Sequence, residues 1–335
     1  MQQDLFNSII GQDKALGLLK SALDSGKNAH AYLFTGPDGV GKATTALRFA
    51  AVLECPTRGC GDCPECRQVL SGTHPDVTIV KPDGAVLKIR QIREVGRTIG
   101  FKPFQGLRKI YIIEDVNLMN DESANALLKN LEEPPDFVVF VLTAPGADGL
   151  LPTVVSRCQE IAFASIKPAL IADWLISKHR QTREKAGVLA ALANGSAGKA
   201  LRLAGENGAF DLREFVLGRL PSVRSGDVLE AFLFKDELKP AFKTKEKIKN
   251  TAWAGEVIDI ITSWYRDLLV FKEAGDSSLL TNKDKTDDIE KAATEADREA
   301  LVKVLNTLKE AGRAMRTNAS QELILEHALL ALGET

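Results

Sequence analysis

An α/β domain built on a parallel sheet, followed by all-helical segments, is the fold class this sequence predicts. Three observations predict it. A glycine-rich turn sits between a short apolar run and a helical pattern over residues 31–53. Continuous apolar runs at Val77–Val80, Lys109–Ile113 and Phe137–Thr143 alternate with helical patterns, as strands covered on both faces do. Beyond residue 164 the strand signal stops and helical periodicity takes over.

The elements follow in order. Over residues 7–26, Ile9, Ile10, Leu16, Leu18, Leu19 and Leu23 recur at helical spacing, and Gly26 ends the pattern. Ala31-Tyr32-Leu33-Phe34 reads as a strand and Thr45–Leu53 as a helix. Ile89–Ile99 and Glu122–Glu132 read as helices, the second stopped by Pro134-Pro135. Residues 167–205 read as short helices broken at Asn194-Gly195 and at Gly205. Apolar stripes then run through Val257, Ile261, Trp264 and Leu268, through Leu301, Val304 and Leu308, and through Leu323–Leu332. Asp276–Asp288 is a polar loop between the first two.

A chain of 335 residues has room for two or three domains. Apolar content of 44% and charged content of 26% place it among soluble globular proteins. A net charge of −2 makes no electrostatic case for strong nucleic-acid binding by the chain alone, and the sequence offers no evident aromatic–basic cluster. No cleavable signal and no bilayer-length apolar run are found, so a cytoplasmic location and no membrane partner are expected.

Gly36-Pro37-Asp38-Gly39-Val40-Gly41-Lys42-Ala43-Thr44 has the glycine and lysine spacing of a phosphate-binding loop. Such a loop holds phosphates with backbone N–H groups and the lysine, and a hydroxyl after the lysine binds Mg²⁺. Ala43 has no oxygen for a metal, and Thr44 lies about 100° further around the helix. Phosphate binding is therefore expected, while ATP/Mg²⁺ hydrolysis by this chain is not. Hydrolysis also needs an acid at a neighbouring strand end. Glu114-Asp115 occupies that position, with the longer carboxylate first; strand capping accounts for the pair equally well.

Cys55, Cys60, Cys63 and Cys66 form C-x4-C-x2-C-x2-C, and Gly59, Gly61 and Pro64 suit the tight turns between them. Four thiolates close a tetrahedral structural Zn²⁺ site with no open position; an iron–sulfur cluster is the competing reading. The fifth cysteine, Cys158, reads as a buried apolar-like residue. Arg157, in Ser156-Arg157-Cys158, has two readings: a surface ion-pair partner, or an arginine finger for a nucleotide on a neighbouring subunit. Thr143 reads as a γ-phosphate sensor or a plain strand end. Lys199 reads as a phosphate ligand from a second domain or a solvated helix start.

Together these residues resemble the AAA+ clamp-loader subunits of bacterial DNA polymerase III. The resemblance rests on Ile10-Gly11-Gln12, His30-Ala31-Tyr32-Leu33-Phe34, the cysteine module and Asn125-Ala126-Leu127-Leu128-Lys129. It extends through Leu131-Glu132-Glu133-Pro134-Pro135 and Leu151-Pro152-Thr153 into Ser156-Arg157-Cys158. It implies an AAA+ P-loop domain over 1–164 with a zinc module at 55–66, a helical lid over 165–208 and an all-α collar over 209–335. It also implies a hetero-pentameric ring with gamma/tau and delta subunits that loads the sliding clamp onto primed DNA. On this match Arg157 completes the ATP site of an adjacent gamma/tau subunit, and Thr143 and Lys199 match sensor positions. Gamma/tau ATPases carry Gly-Lys-Thr and an Asp-Glu strand end. Ala43, Glu114-Asp115 and the absence of a tau-type extension select the delta-prime branch instead. An independent P-loop ATPase and a zinc-dependent DNA-binding module are the readings from other classes.

Overall fold

A computed structural model of the protein describes residues 5–26, 28–84, 86–205, 209–223, 233–238, 252–315 and 320–332. It divides into two compact units. One comprises Met1–Trp174 with Gly195–Gly198, and the other Leu175–Asn194 with Lys199–Thr335.

The first unit is built on five parallel strands: β1 (Ala31–Thr35), β2 (Val77–Val80), β3 (Lys109–Ile113), β4 (Val138–Ala144) and β5 (Gln159–Ala162), in the order β2-β3-β4-β1-β5. This is the strand order of an AAA+ P-loop domain. Alternation of side chains across each strand supplies two cores. Tyr32 and Phe34 point to one face, where they pack with helices α1 (Asp13–Ser25), α2 (Lys42–Glu54) and α3 (Pro64–Ser71). Ala31 and Leu33 point to the other, towards α4 (Ile89–Thr98) and α5 (Asp121–Glu132). The loops after β1, β3 and β4 leave from the same sheet edge, the usual ligand-binding edge of a parallel sheet.

Three elements differ from expectation. The first helix starts at Asp13, because Gly11 adopts φ 65° and separates it from a 3₁₀ turn at Leu5–Ser8. The cysteine-rich stretch holds a true helix, α3, with Pro64 in its first turn and the Cys63 side chain accepting a bond from the Cys66 N–H at its start. β5 was hidden by its polar sequence. It is an edge strand, and of its four residues Ile161 alone is buried.

Among the described residues, the second unit is all helical. Helices Ala209–Val223, Ala252–Ala274, Thr286–Glu295, Arg298–Ala314 and Gln321–Leu332 share one apolar core around Tyr265, Leu268 and Leu301. The expected loop at Asp276–Asp288 is more ordered than its polarity suggests. It contains two 3₁₀ turns and the first turn of a helix. Buried Asp267 accepts the N–H groups of Thr281 and Asn282 at 2.9 and 2.7 Å, and buried Arg213 donates to both carboxylate oxygens of Asp284 at 2.8 Å.

Candidate nucleotide site and metal centre

The glycine loop follows β1, and Gly41 caps the start of α2 with φ 106°. Gly36 at φ 142° lies so close to the Phe163 carbonyl that a Cβ would collide with it. Gln12 braces the loop from below. Its side-chain amide donates to Val40 O at 3.2 Å and Ala164 O at 2.8 Å, and its Oε1 accepts from Ala164 N at 3.1 Å. Sequence reasoning used Gln12 only as a family signature. The Gly198 N–H closes over the loop, donating to Gly39 O at 2.9 Å.

Lys42 is folded onto its own loop. Its Nζ donates to Gly36 O at 2.5 Å and Pro37 O at 2.9 Å, lies 3.7 Å from Asp38, and only 7% of the residue is exposed. Burial lowers its pKa, against the attraction of Asp38 and Asp115. Asp115 is pushed the other way, first by burial and then by Asp38. Ala43 and Thr44 are exposed in the first turn of α2.

The two strand-end acids divide. Glu114 lies 3.4 Å from Lys81, whereas Asp115 turns at φ 53° and belongs to the electrostatic environment of Lys42. Thr143, buried at the end of β4, accepts the Asp115 N–H at 3.0 Å and so ties the ends of β3 and β4 together. The structure thus brings Gly36, Gly39, Gly41, Lys42, Asp115 and Thr143 to one edge. Lys199 belongs to the second unit, where its Nζ meets Asp259 at 2.6 Å.

Arg157 follows the short helix Pro152–Val155 and precedes β5. One guanidinium nitrogen donates to Thr153 O at 3.0 Å and another to Glu132 at 3.1 Å, and the side chain is 34% exposed. Two fixed bonds orient a cation that still reaches the surface. Cys158 packs into the α4/α5 core, where burial pushes its thiol up to about 12.

The four other cysteines converge. Their sulfurs all lie within 4.8 Å of one another, with Cys55 3.7 Å from Cys60 and 3.8 Å from Cys63. A regular tetrahedron with Zn–S bonds of about 2.3 Å has edges of about 3.8 Å, so this donor set fits zinc. The backbone supports thiolates there. The N–H groups of Cys60, Cys63 and Cys66 each point at the sulfur of the preceding cysteine at 3.4 Å. Burial opposes ionisation of Cys55, but the Thr57 hydroxyl and backbone N–H groups overcome it and bring its pKa down to about 6. Burial dominates at Cys66 and raises its pKa.

Comparison with known proteins agrees with this geometry. The family model described as "DNA polymerase III, delta subunit" matches residues 11–167, and "DNA polymerase III, delta subunit, C terminal" matches 227–334. "DNA polymerase III subunit delta'" of Bacillus subtilis is 30% identical over 332 residues, covering 96% of each chain. The chain belongs to the DNA polymerase III delta-prime family. "DNA polymerase III subunit tau" of the same organism is 26% identical over 98% of this chain, which spans only 62% of tau's length. A solved "gamma subunit-related protein" of Thermotoga maritima, 22% identical, shares the fold with a TM-score of 0.53 over 96% of this chain and 99% of its own. Among the described residues, no helix is long and apolar enough to cross a membrane.

Proposed function

We propose that this chain works as a clamp-loader subunit of DNA polymerase III that assists ATP hydrolysis on a neighbour and performs none itself. Arg157 is the group offered in trans. Its guanidinium, oriented by Thr153 and Glu132 yet partly exposed, would stabilise charge developing on the γ-phosphate held by an adjacent gamma/tau-type subunit. A desolvated finger of this kind accelerates phosphoryl transfer by about 10³–10⁵.

The observation that carries the reading is Ala43, which follows Lys42, is exposed in the first turn of α2 and offers no hydroxyl for Mg²⁺. Gly36, Gly39, Gly41, Thr44, Glu114, Asp115 and Thr143, all in the first unit, would then line a vestigial nucleotide site. Cys55, Cys60, Cys63 and Cys66 would hold a structural Zn²⁺, cross-linking the end of α2 to α3.

In this reading residues 1–164 form the AAA+ domain, 165–208 a lid and 209–335 a collar. The collar joins gamma/tau and delta subunits in a five-membered cytoplasmic ring acting on the sliding clamp and primed DNA. The experiment is Arg157→Ala in a loader reconstituted from cognate subunits. Clamp- and DNA-stimulated ATPase should fall at least a hundredfold while the complex still elutes intact. Undiminished turnover would remove the finger.

A further inference from the structure

The C-terminal end of α5 carries charge of the wrong sign for a helix. Glu132 is its last residue and Glu133 follows as the cap, where the carbonyl end of the helix dipole favours cations. Lys129, in the same last turn, has the expected sign. Leu127 and Leu131, both fully buried, anchor that turn in the α4/α5 core, and Pro134-Pro135 keeps the helix from continuing. Glu132 is thus fixed by its neighbours although its own side chain is 55% exposed. A carboxylate set against the dipole and left half in water does little for α5 by itself.

Glu132 faces Arg157, whose backbone is held as firmly as α5. Buried Val154 precedes it, and Cys158 beyond it packs on the same core as Leu127 and Leu131. The Arg157 N–H donates to Val154 O at 3.2 Å. What remains free is the side chain, a long stem whose rotamers cost entropy to fix. Acceptors on two different elements fix it: Thr153 O takes one guanidinium nitrogen at 3.0 Å, and Glu132 Oε1 takes the other at 3.1 Å. Thr153 O is shared, since Ser156 Oγ also donates to it at 3.2 Å. A guanidinium presents its N–H donors in one rigid plane, so the two bonds set that plane and leave further donors for a third group.

We propose, resting on Arg157 as the finger, that Glu132 is its positioning residue: the acceptor oxygen of Glu132, rather than its charge, sets the plane in which the guanidinium meets phosphate oxygens on the adjoining subunit. A carboxylate acting through charge would do the reverse. It would offset the positive charge that stabilises the transferring group, and removing it would speed hydrolysis. The exposure of Glu132 favours the positioning role, because water and salt screen its charge while the direction of its hydrogen bond survives screening.

Single-turnover ATP hydrolysis and ATP affinity are measured in the loader reconstituted from cognate subunits, with clamp and primed DNA present. This chain carries Glu132→Ala, Glu132→Gln, Arg157→Ala or Glu132→Ala combined with Arg157→Ala, and assembly is checked for each. Glu132→Ala should slow hydrolysis about tenfold with ATP affinity unchanged. Glu132→Gln keeps an acceptor oxygen and loses the charge, and should bring the rate back to within about threefold of the parent. On the Arg157→Ala background, Glu132→Ala should change nothing further. An unchanged rate for Glu132→Ala beside a collapse for Arg157→Ala would overturn the positioning role and leave the finger standing. So would a gain in rate shared by the alanine and glutamine variants, which marks a brake, or a loss shared equally by both, which marks charge. A further loss on the Arg157→Ala background would place the effect of Glu132 at another contact. An undiminished rate for Arg157→Ala would remove the finger and the positioning role together.

Discussion

Replacing Cys66 by serine should cost the metal centre about two to three orders of magnitude in zinc affinity. Sulfur separations of 3.7 and 3.8 Å correspond to a metal about 2.3 Å from each thiolate. Structural zinc sites of this class bind with about 10–16 kcal/mol near neutral pH, so each of four thiolates contributes about 2.5–4 kcal/mol. At about 1.4 kcal/mol per tenfold, that is roughly 60- to 700-fold. Serine cannot substitute as a thiolate, and Cys158 cannot replace it, since Cys158 packs on the opposite face of the sheet. The assay is competition for zinc against a chromophoric chelator, with metal content measured on the purified chain. The parent should hold about one zinc per chain. A Cys66→Ser variant that keeps the parent's affinity would refute the four-thiolate centre, as would a parent that purifies without zinc and does not take it up.

Further outcomes follow from named contacts. Asp76→Asn keeps one acceptor oxygen where two served the N–H groups of Phe104, Gln105 and Gly106. Losing at least one charge-assisted bond should lower stability by about 1.5–3 kcal/mol in urea titration. Burial raises the Asp76 pKa, but its three N–H bonds outweigh that and hold it below the ordinary 3.8. Its contribution is therefore present above pH 3.8 and is lost as pH falls through the folded value, so the gap between variant and parent should close in acid. The Cys158 thiol, raised to about 12, is protonated at pH 8 and should resist iodoacetamide until the protein is unfolded; rapid labelling of the folded chain would contradict its burial. Gly36→Ala should lower the melting temperature, with about 1–3 kcal/mol of backbone strain at φ 142° added to the clash with Phe163 O.

Much of this molecule was legible before any coordinates. The strands of the sheet centre are continuous apolar runs because both faces are covered, and that pattern survives in sequence whatever the neighbours are. The cysteine spacing likewise encodes its own geometry. What stayed hidden depends on contacts between distant segments. Edge strand β5 is half polar, so its four residues carry no apolar run. Helix α3 was obscured because cysteine, proline and glycine spacing reads first as turns. Glu54 and Asp76 look like ordinary surface acids until the loop from 104 to 108 is seen folded over them. The aromatic–basic run from Phe101 to Lys109 is different: it is contiguous in the sequence, and the expectation that no such cluster exists overlooked it. At the candidate nucleotide site the residue types were legible. The inward fold of Lys42, the separate company kept by Glu114 and Asp115, and the Gln12 brace required the structure.

The division of labour between the silent loop and the donated arginine is tested most directly by one paired measurement. Single-turnover ATP hydrolysis is followed in the reconstituted loader carrying either Lys42→Ala or Arg157→Ala in this chain, with assembly checked for both. The account predicts hydrolysis near the parental rate for Lys42→Ala and a collapse for Arg157→Ala at the neighbouring site. A collapse with Lys42→Ala and an unaffected rate with Arg157→Ala would contradict it.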